Sequence, residues 1–463
     1  MIKENNMKRL LALITAAALA LSLTACSGGT ASDESSQGSQ ASQDSQSSQD
    51  VQTSQASQDV SSQTSQDAAS QEAPESSAPE GGETTPAAPE TVDYSQLSEQ
   101  EIYDLMVKRS LMTTGDMTRM ANVLKKAQNG EEITIAYIGG SITYGMTVAP
   151  AEPEKCWAYL TYKWLCEQYP EAKINYVNAG ISGTPSILGN IRLERDVLAY
   201  DPDITFVEFA VNDGTETEYK NSYESLVRTL LQDTDMAVVL FFTIVKSGHT
   251  CQPHMSRIGE NYSLPMISEP DSIWVEMEDG RMAWEDYSDD ESHPNEKGHV
   301  MVADCIEYYF EQVQASLDES AGEVSAELPA AIYSDRYVNM HFIDSEELTD
   351  VELSGFEKNE THEYFKNGWA YKGDGGASMK FNITCRSLEI IFKANKAKVY
   401  ADADIYVDGE KTVTVSSSRS DGWANPVTEF VIDNDEAAEH TVEIRVAGGE
   451  NHYFGVLGFG YCE

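Results

Sequence analysis

Three side chains from two distant segments of the chain carry groups that together can cleave an acyl bond: Ser141, and Asp290 with His293. Ser141 follows an apolar run and two glycines in "TIAYIGGSITYG", Thr134 to Gly145. A serine hydroxyl alone is a poor nucleophile. It needs a base to take its proton and an acid to orient that base. His293, in "DESHPN", supplies an imidazole, and Asp290, three residues earlier, can reach the other ring nitrogen across a tight loop. Acyl transfer also builds negative charge on the carbonyl oxygen, so donors must already point at it. The candidates are the Ser141 N–H near a helix start, the Gly183 N–H in "NAGISG" and the Asn212 side-chain amide in "FAVND".

These residues act together only if the fold gathers them. Apolar strand candidates alternate with amphipathic helices: "ITIAYIG", "INYVNAG", "ITFVEFAVND" and "MAVVLFFTIV" are the strands. Between them lie "EKCWAYLTYKWLCEQYP", "SILGNIRLERDVLAY" and "YESLVRTLLQD". A longer irregular stretch then leads to the helix "EKGHVMVADCIEYYFEQV". Strands apolar on both faces, alternating with helices, predict an α/β fold with a parallel sheet covered on both sides. In such a sheet the functional crevice lies at the carboxyl ends of the strands, where Ser141, Gly183 and Asn212 fall. A helix pair is predicted over Ser98 to Gln128, with Asp116 capping the second helix and Gly130 just past its end.

With these four blocks in order, the chain resembles the SGNH hydrolases, also called the GDSL family. Ser141 in "GGSIT" matches the nucleophile, Gly183 and Asn212 the oxyanion donors, His293 the base and Asp290 its partner. The resemblance covers about Gly115 to Val313 and implies a flavodoxin-like three-layer fold, ester hydrolysis through an acyl-enzyme, and no metal or organic cofactor. One departure stands out: the common "GDS" is "GGS" here, with Gly140 in place of Asp. That questions any role of an aspartate in shaping the nucleophile turn.

Other residues invite chemistry and leave it open. His249, Cys251 and His254 in "SGHTCQPH" fit no four-ligand zinc spacing and read better as a pocket wall or surface loop. His299 reads as packed in the last helix. Trp274 and Trp284 are equally readable as sugar platforms or as core. Six cysteines beyond Cys26 show no CxxC spacing, and their pairing is unreadable.

The 463 residues carry a formal net charge of -46, which argues against nucleic-acid or anionic-lipid partners. Residues 1–26 read as an export signal: Lys3, Lys8 and Arg9 precede "LLALITAAALALSL" and then "LTAC". The last four residues resemble a bacterial lipobox, which implies acylation at Cys26 and a membrane anchor; a plain signal cleaved after Ala25 is the alternative. Residues 27–92 are rich in Ser, Gln, Asp and Pro and read as a disordered tether with a root-mean-square reach of about 45 Å. Residues 93–316 are expected to form the hydrolase domain. After the linker "SAGEVSAELP", residues 327–463 show short alternating strands, with an Asp408-Gly409 hairpin, and are expected to form an all-β sandwich. Trp369, Tyr371, Trp423 and Tyr453 are its candidate stacking residues, against a purely structural role for the domain. The expected protein is an extracytoplasmic, membrane-anchored serine esterase acting on an acylated carbohydrate, with its O-acetyl groups as the expected target. A lipase, thioesterase or acyltransferase using the same triad, and a surface glycan-binding protein with little activity, are the alternatives.

Overall fold

A computed structural model describes residues 92–420, 422–450 and 452–463. The predicted signal, Cys26 and all of the tether but Val92 lie outside the described residues. The described residues fall in one compact unit, Pro89–Glu463.

The first half is a three-layer α/β structure. Its strands are β1 (Leu111–Thr113), β2 (Ile133–Gly139), β3 (Ile174–Gly180), β4 (Ile204–Glu208), β5 (Ala237–Phe242) and β6 (Met266–Ser268), in the order β1-β6-β5-β4-β2-β3. All pairs are parallel except the edge pair of β1 with β6. β2, β4 and β5 are buried at every residue, which is why they read as unbroken apolar runs rather than alternating ones. Alternation reappears in what each residue touches. Ile133, Ile135 and Tyr137 pack with Trp157, Leu165, Ile306 and Phe310 on one face. Ala136 and Ile138 pack with Tyr223, Leu226, Leu230 and Met255 on the other.

The predicted helix pair is present as Glu99–Ser110 and Thr118–Gln128, with the unforeseen edge strand β1 between them. Asp116 stands one position ahead of the cap: Met117 is the capping residue, while the Asp116 carboxylate accepts the Thr118 N–H at 2.9 Å. The stretch read as irregular is ordered, holding helices Gln252–Asn261 and Ile273–Glu278 around β6.

The second half is all antiparallel apart from isolated bridges. It comprises β7 (His341–Ile343), β8 (Val351–Ser354), β9 (Phe356–Glu360), β10 (Gly368–Gly373), β11 (Ala377–Asn395), β12 (Asp402–Val407), β13 (Glu410–Ser416), β14 (Trp423–Val446) and β15 (His452–Cys462). The main path runs β13-β12-β14-β11-β15-β10-β9, with β7 beside β15 and β8 beside β11. The segments "PVTEFVID" and "HTVEIRVAG" belong to one long strand, β14, laddered along β11. Asp408 and Gly409 form the tight turn between β12 and β13, both with positive φ (52° and 87°), as a two-residue hairpin requires.

A separate apolar seam joins the halves. Leu188 and Ile191 of the helix Ser186–Ile191 pack with Tyr337, Met340, Phe365, Ile391 and Leu457. Burying each such aliphatic side chain contributes about 1.5–3 kcal/mol. Ahead of β7 the chain is fastened to the α/β half, because the buried Glu224 carboxylate accepts the N–H groups of Ile332, Tyr333 and Ser334 at 2.8, 2.6 and 3.0 Å. The closing run of β15 contributes Phe454, Val456 and Phe459 to the sandwich core.

Candidate active site

The site is built by strand register. Gly139, at the end of β2, is level with Gly180 of β3 and with Glu208 of β4. Ser141, Gly183 and Asn212 follow these strand ends by two, three and four residues. They therefore emerge at one edge of three neighbouring strands. Ser141 opens a single-turn helix, Ser141–Tyr144, capped by Gly140 and closed by Gly145 with φ of 83°. The turn is tied down by side chains: the Trp157 indole donates to the Ile142 carbonyl at 3.0 Å, and the Asn178 amide to that of Thr143 at 2.8 Å. Beneath it the buried Arg192 donates to the carbonyls of Ala179 (2.6 Å) and Gly139 (3.2 Å), stapling the ends of β3 and β2 together.

The loop before the last helix brings the other two groups. His293 Nε2 lies 2.9 Å from Ser141 Oγ, and His293 Nδ1 lies 2.7 Å from Asp290 Oδ2. The second Asp290 oxygen accepts the N–H groups of Ser292 and His293, both at 2.7 Å. Partial burial acts to raise the Asp290 pKa, but the His293 ring and these two amides outweigh it and hold the carboxyl below its ordinary value. Asp290 is thus a carboxylate that orients the ring. Trp284 supports the loop from below, donating from Nε1 to the Asp290 carbonyl at 2.6 Å. It is core by burial and meets Trp274 edge to face. Neither Trp is an open platform.

The Asn212 side chain lies against Gly140, where an added Cβ would overlap its amide. This contact also accounts for glycine at the position where the family carries Asp. Gly183 has a φ of 70°, and the edge of the Trp423 ring lies against its Cα. Trp423 begins β14 and is 58% exposed, so the second half of the molecule supplies part of the rim. A cleft of about 470 Å³ opens beside it, lined by Tyr144, Met146, Ile181, His362, Tyr364 and Trp423 among others. Of the other stacking candidates, Trp369 and Tyr371 are core residues of the sandwich, a correction to their reading as a platform; Tyr453 is half-buried against Tyr400.

The remaining candidates lie apart from this constellation. His249 Nε2 and Cys251 Sγ both contact the Asp213 carbonyl, at 3.2 Å each, in a wall behind Asn212. Among the described residues no group of three or more His, Cys, Asp or Glu is arranged to hold a metal ion. His299 is buried in the last helix, where burial and the neighbouring His293 push its pKa down to about 4, and it faces the Trp157 amide. The six described cysteines are free thiols. Sequence reasoning did not single out Arg192 or the carboxylate of Glu208. A lone charge inside an apolar strand, as in "ITFVEFAV", was the available signal, since such a residue is fully buried only when paired.

Comparison with known proteins agrees with this fold. Residues 137–301 match the model of the GDSL-like lipase/acylhydrolase family. An acetylxylan esterase of Geobacillus stearothermophilus is 26% identical over 176 residues, which cover 32% of this chain and 78% of that protein. Among solved structures, a two-domain esterase active on acetylated mannans superposes with a TM-score of 0.71 at 27% identity, over 77% of this chain and 99% of the other. The same kind of protein co-crystallised with mannopentaose gives a TM-score of 0.70. The match spans both halves, so the joined α/β and all-β architecture is shared. The protein is a carboxylic ester hydrolase, similar over residues 137–301 to the GDSL-like lipase/acylhydrolase family, with an all-β domain joined to its α/β half.

Proposed function

We propose that the protein removes O-acetyl groups from polysaccharide through an acyl-enzyme on Ser141. The observation that carries the mechanism is the unbroken line Asp290–His293–Ser141, with contacts of 2.7 and 2.9 Å. His293 Nε2 takes the Ser141 proton as Oγ attacks the ester carbonyl, while Asp290 holds the ring by Nδ1 and stabilises the imidazolium. The tetrahedral oxyanion forms beside the Ser141 and Gly183 amides and the Asn212 side chain. The imidazolium then protonates the departing sugar oxygen. Water, deprotonated by the same nitrogen, attacks the acetyl-enzyme and releases acetate and free Ser141.

The carbohydrate preference rests on two supports. The relatives named above act on acetylated xylan and acetylated mannan. The exposed Trp423 ring offers a flat apolar surface at the rim, of the kind a pyranose face stacks on. We also propose that the protein works outside the cytoplasm, held to the membrane by acyl chains on Cys26, a reading supported by the lipobox-like "LTAC" after an apolar run.

The test is direct. A fluorophosphonate probe should label the purified protein at Ser141, and acetate should be released from acetylated mannan or xylan. Ser141→Ala should lose both labelling and turnover while keeping its melting temperature. Retention of a tenth of the turnover would reject the covalent route. In the native host the label should follow the membrane fraction and move to the soluble fraction in Cys26→Ser; an unmoved label would reject the anchor.

A further inference from the structure

The nucleophile turn has no aspartate at position 140, yet a carboxylate lies beneath it. Glu208 ends β4, level with Gly139, and is fully buried. One oxygen accepts the Thr143 hydroxyl at 2.9 Å, and the other accepts the Thr243 hydroxyl, just past β5, at 2.7 Å. The backbone amides of Gly140 and Thr143 also donate to the carboxylate. Residues 140 and 143 bracket Ser141. The turn can close over this carboxylate only because residue 139 is glycine: a Cβ there would overlap the Thr143 hydroxyl and the Glu208 carbonyl. On the far side of Gly140 the Asn212 amide fills the space a side chain would need.

We infer that Glu208 is a positioning residue for the ester-hydrolysis reaction, a buried socket that grips the backbone on both sides of Ser141 and anchors it through Thr243 to the next strand. The inference rests on the reading of Ser141 as the nucleophile. Such a socket answers the question raised by Gly140. The carboxylate that sets the turn comes from the neighbouring strand, buried from solvent, rather than from the turn itself. Burial acts to raise the Glu208 pKa, and the two hydroxyls and two amides oppose it. The grip does not need the charge. An amide in the same place can keep its oxygen toward Thr143 and the turn and give its NH₂ to the Thr243 hydroxyl, which can accept as well as donate.

The experiment follows the rate of fluorophosphonate labelling at Ser141, together with kcat and KM on a soluble aryl acetate and the melting temperature. Labelling of the wild-type enzyme at Ser141 comes first and tests the nucleophile independently. Displacing a reacting atom by about 1 Å costs on the order of a hundredfold in rate. Glu208→Ala is therefore expected to lower labelling rate and kcat by about a hundredfold, in parallel, with KM changed less than about threefold. Glu208→Gln should restore both to within about fivefold of wild type. A purely structural carboxylate would lower the melting temperature and leave the labelling rate of the folded enzyme unchanged, and that result overturns the inference. A Gln variant as slow as the Ala variant overturns it too. If Glu208→Ala does not fold, Thr143→Val decides. It removes one hydroxyl from the socket and leaves the Thr143 amide, and labelling at least about fivefold slower at an unchanged melting temperature is expected. An unchanged labelling rate would end the proposal.

Discussion

The two halves of the molecule meet at one cleft and contribute to it in opposite ways. The α/β half offers residues fixed from several directions: Ser141 sits on a capped turn at the end of a fully buried strand, with neighbours locked in register. The sandwich offers Trp423, an exposed ring at the tip of a long strand, touching the site only along one edge. Bond making tolerates errors of a fraction of an ångström, so its groups come from the part of the fold where register decides position. Stacking on a sugar face, the role proposed for Trp423, tolerates more, and an exposed ring on a neighbouring domain would suffice for it. The division predicts that losses in the first half appear in turnover and losses in the second half appear in binding.

The strongest way to break this division is at Asn212. Removing one oxyanion donor typically costs about 10²–10³-fold in turnover. Asn212→Ala should show that loss in kcat with KM for an acetylated oligosaccharide nearly unchanged. Unchanged turnover would mean that the amide does not serve the oxyanion and only fills the space beside Gly140. A smaller effect is expected across the cleft. Trp423→Ala should raise KM for acetylated oligosaccharide by about tenfold, roughly 1.4 kcal/mol of binding, and leave kcat and the hydrolysis of a small aryl acetate unaltered. Equal losses on both substrates would show that the ring shapes Gly183 rather than holding a sugar.

The effect furthest from the cleft concerns stability and pH. Glu269 is buried in the α/β half, takes the Tyr287 hydroxyl and the Ile244 amide, and is pushed up to about 8 by burial. Between the ordinary carboxylate range and about pH 8 the folded chain keeps a proton there that the unfolded chain has lost. Unfolding then releases a proton, so stability falls as pH rises through that window, by at most about 1.4 kcal/mol per pH unit for this one group. Asp213, raised by burial to about 7, acts in the same direction. Thermal melts from pH 5 to 8 should show the fall, and Glu269→Gln should make it shallower with kcat unchanged. A slope identical in the variant would remove Glu269 as its source.

Much of the site was legible before any coordinates, and the reasons are local. Two glycines before Ser141 mark a close turn, and "DESHPN" carries acid and imidazole at a spacing one loop can close, as the 2.7 Å contact reports. Parallel strands announce themselves by unbroken apolar runs, and their carboxyl ends are then the place to look. What escaped is what depends on pairing. Glu208 is one letter in an apolar strand, and its four donors come from the segments just past β2 and β5, the strands on either side of β4. Trp423 meets Gly183 across 240 residues of sequence. The helices Gln252–Asn261 and Ile273–Glu278 lie in the stretch read as irregular; the first carries Pro253 at its start, where no N–H is needed.

The strip of Trp423 against Gly183 has a thermodynamic side. A glycan seated there would touch both halves at once, so it would bind the joined molecule and not a chain whose halves had parted. By mass action such a ligand adds RT ln(1 + [L]/Kd) to the seam formed by Leu188, Ile191, Ile391 and Leu457, about 2.7 kcal/mol at a hundred times Kd. Substrate would thus act as a removable brace, and the enzyme would be most robust to heat where its polymer is abundant.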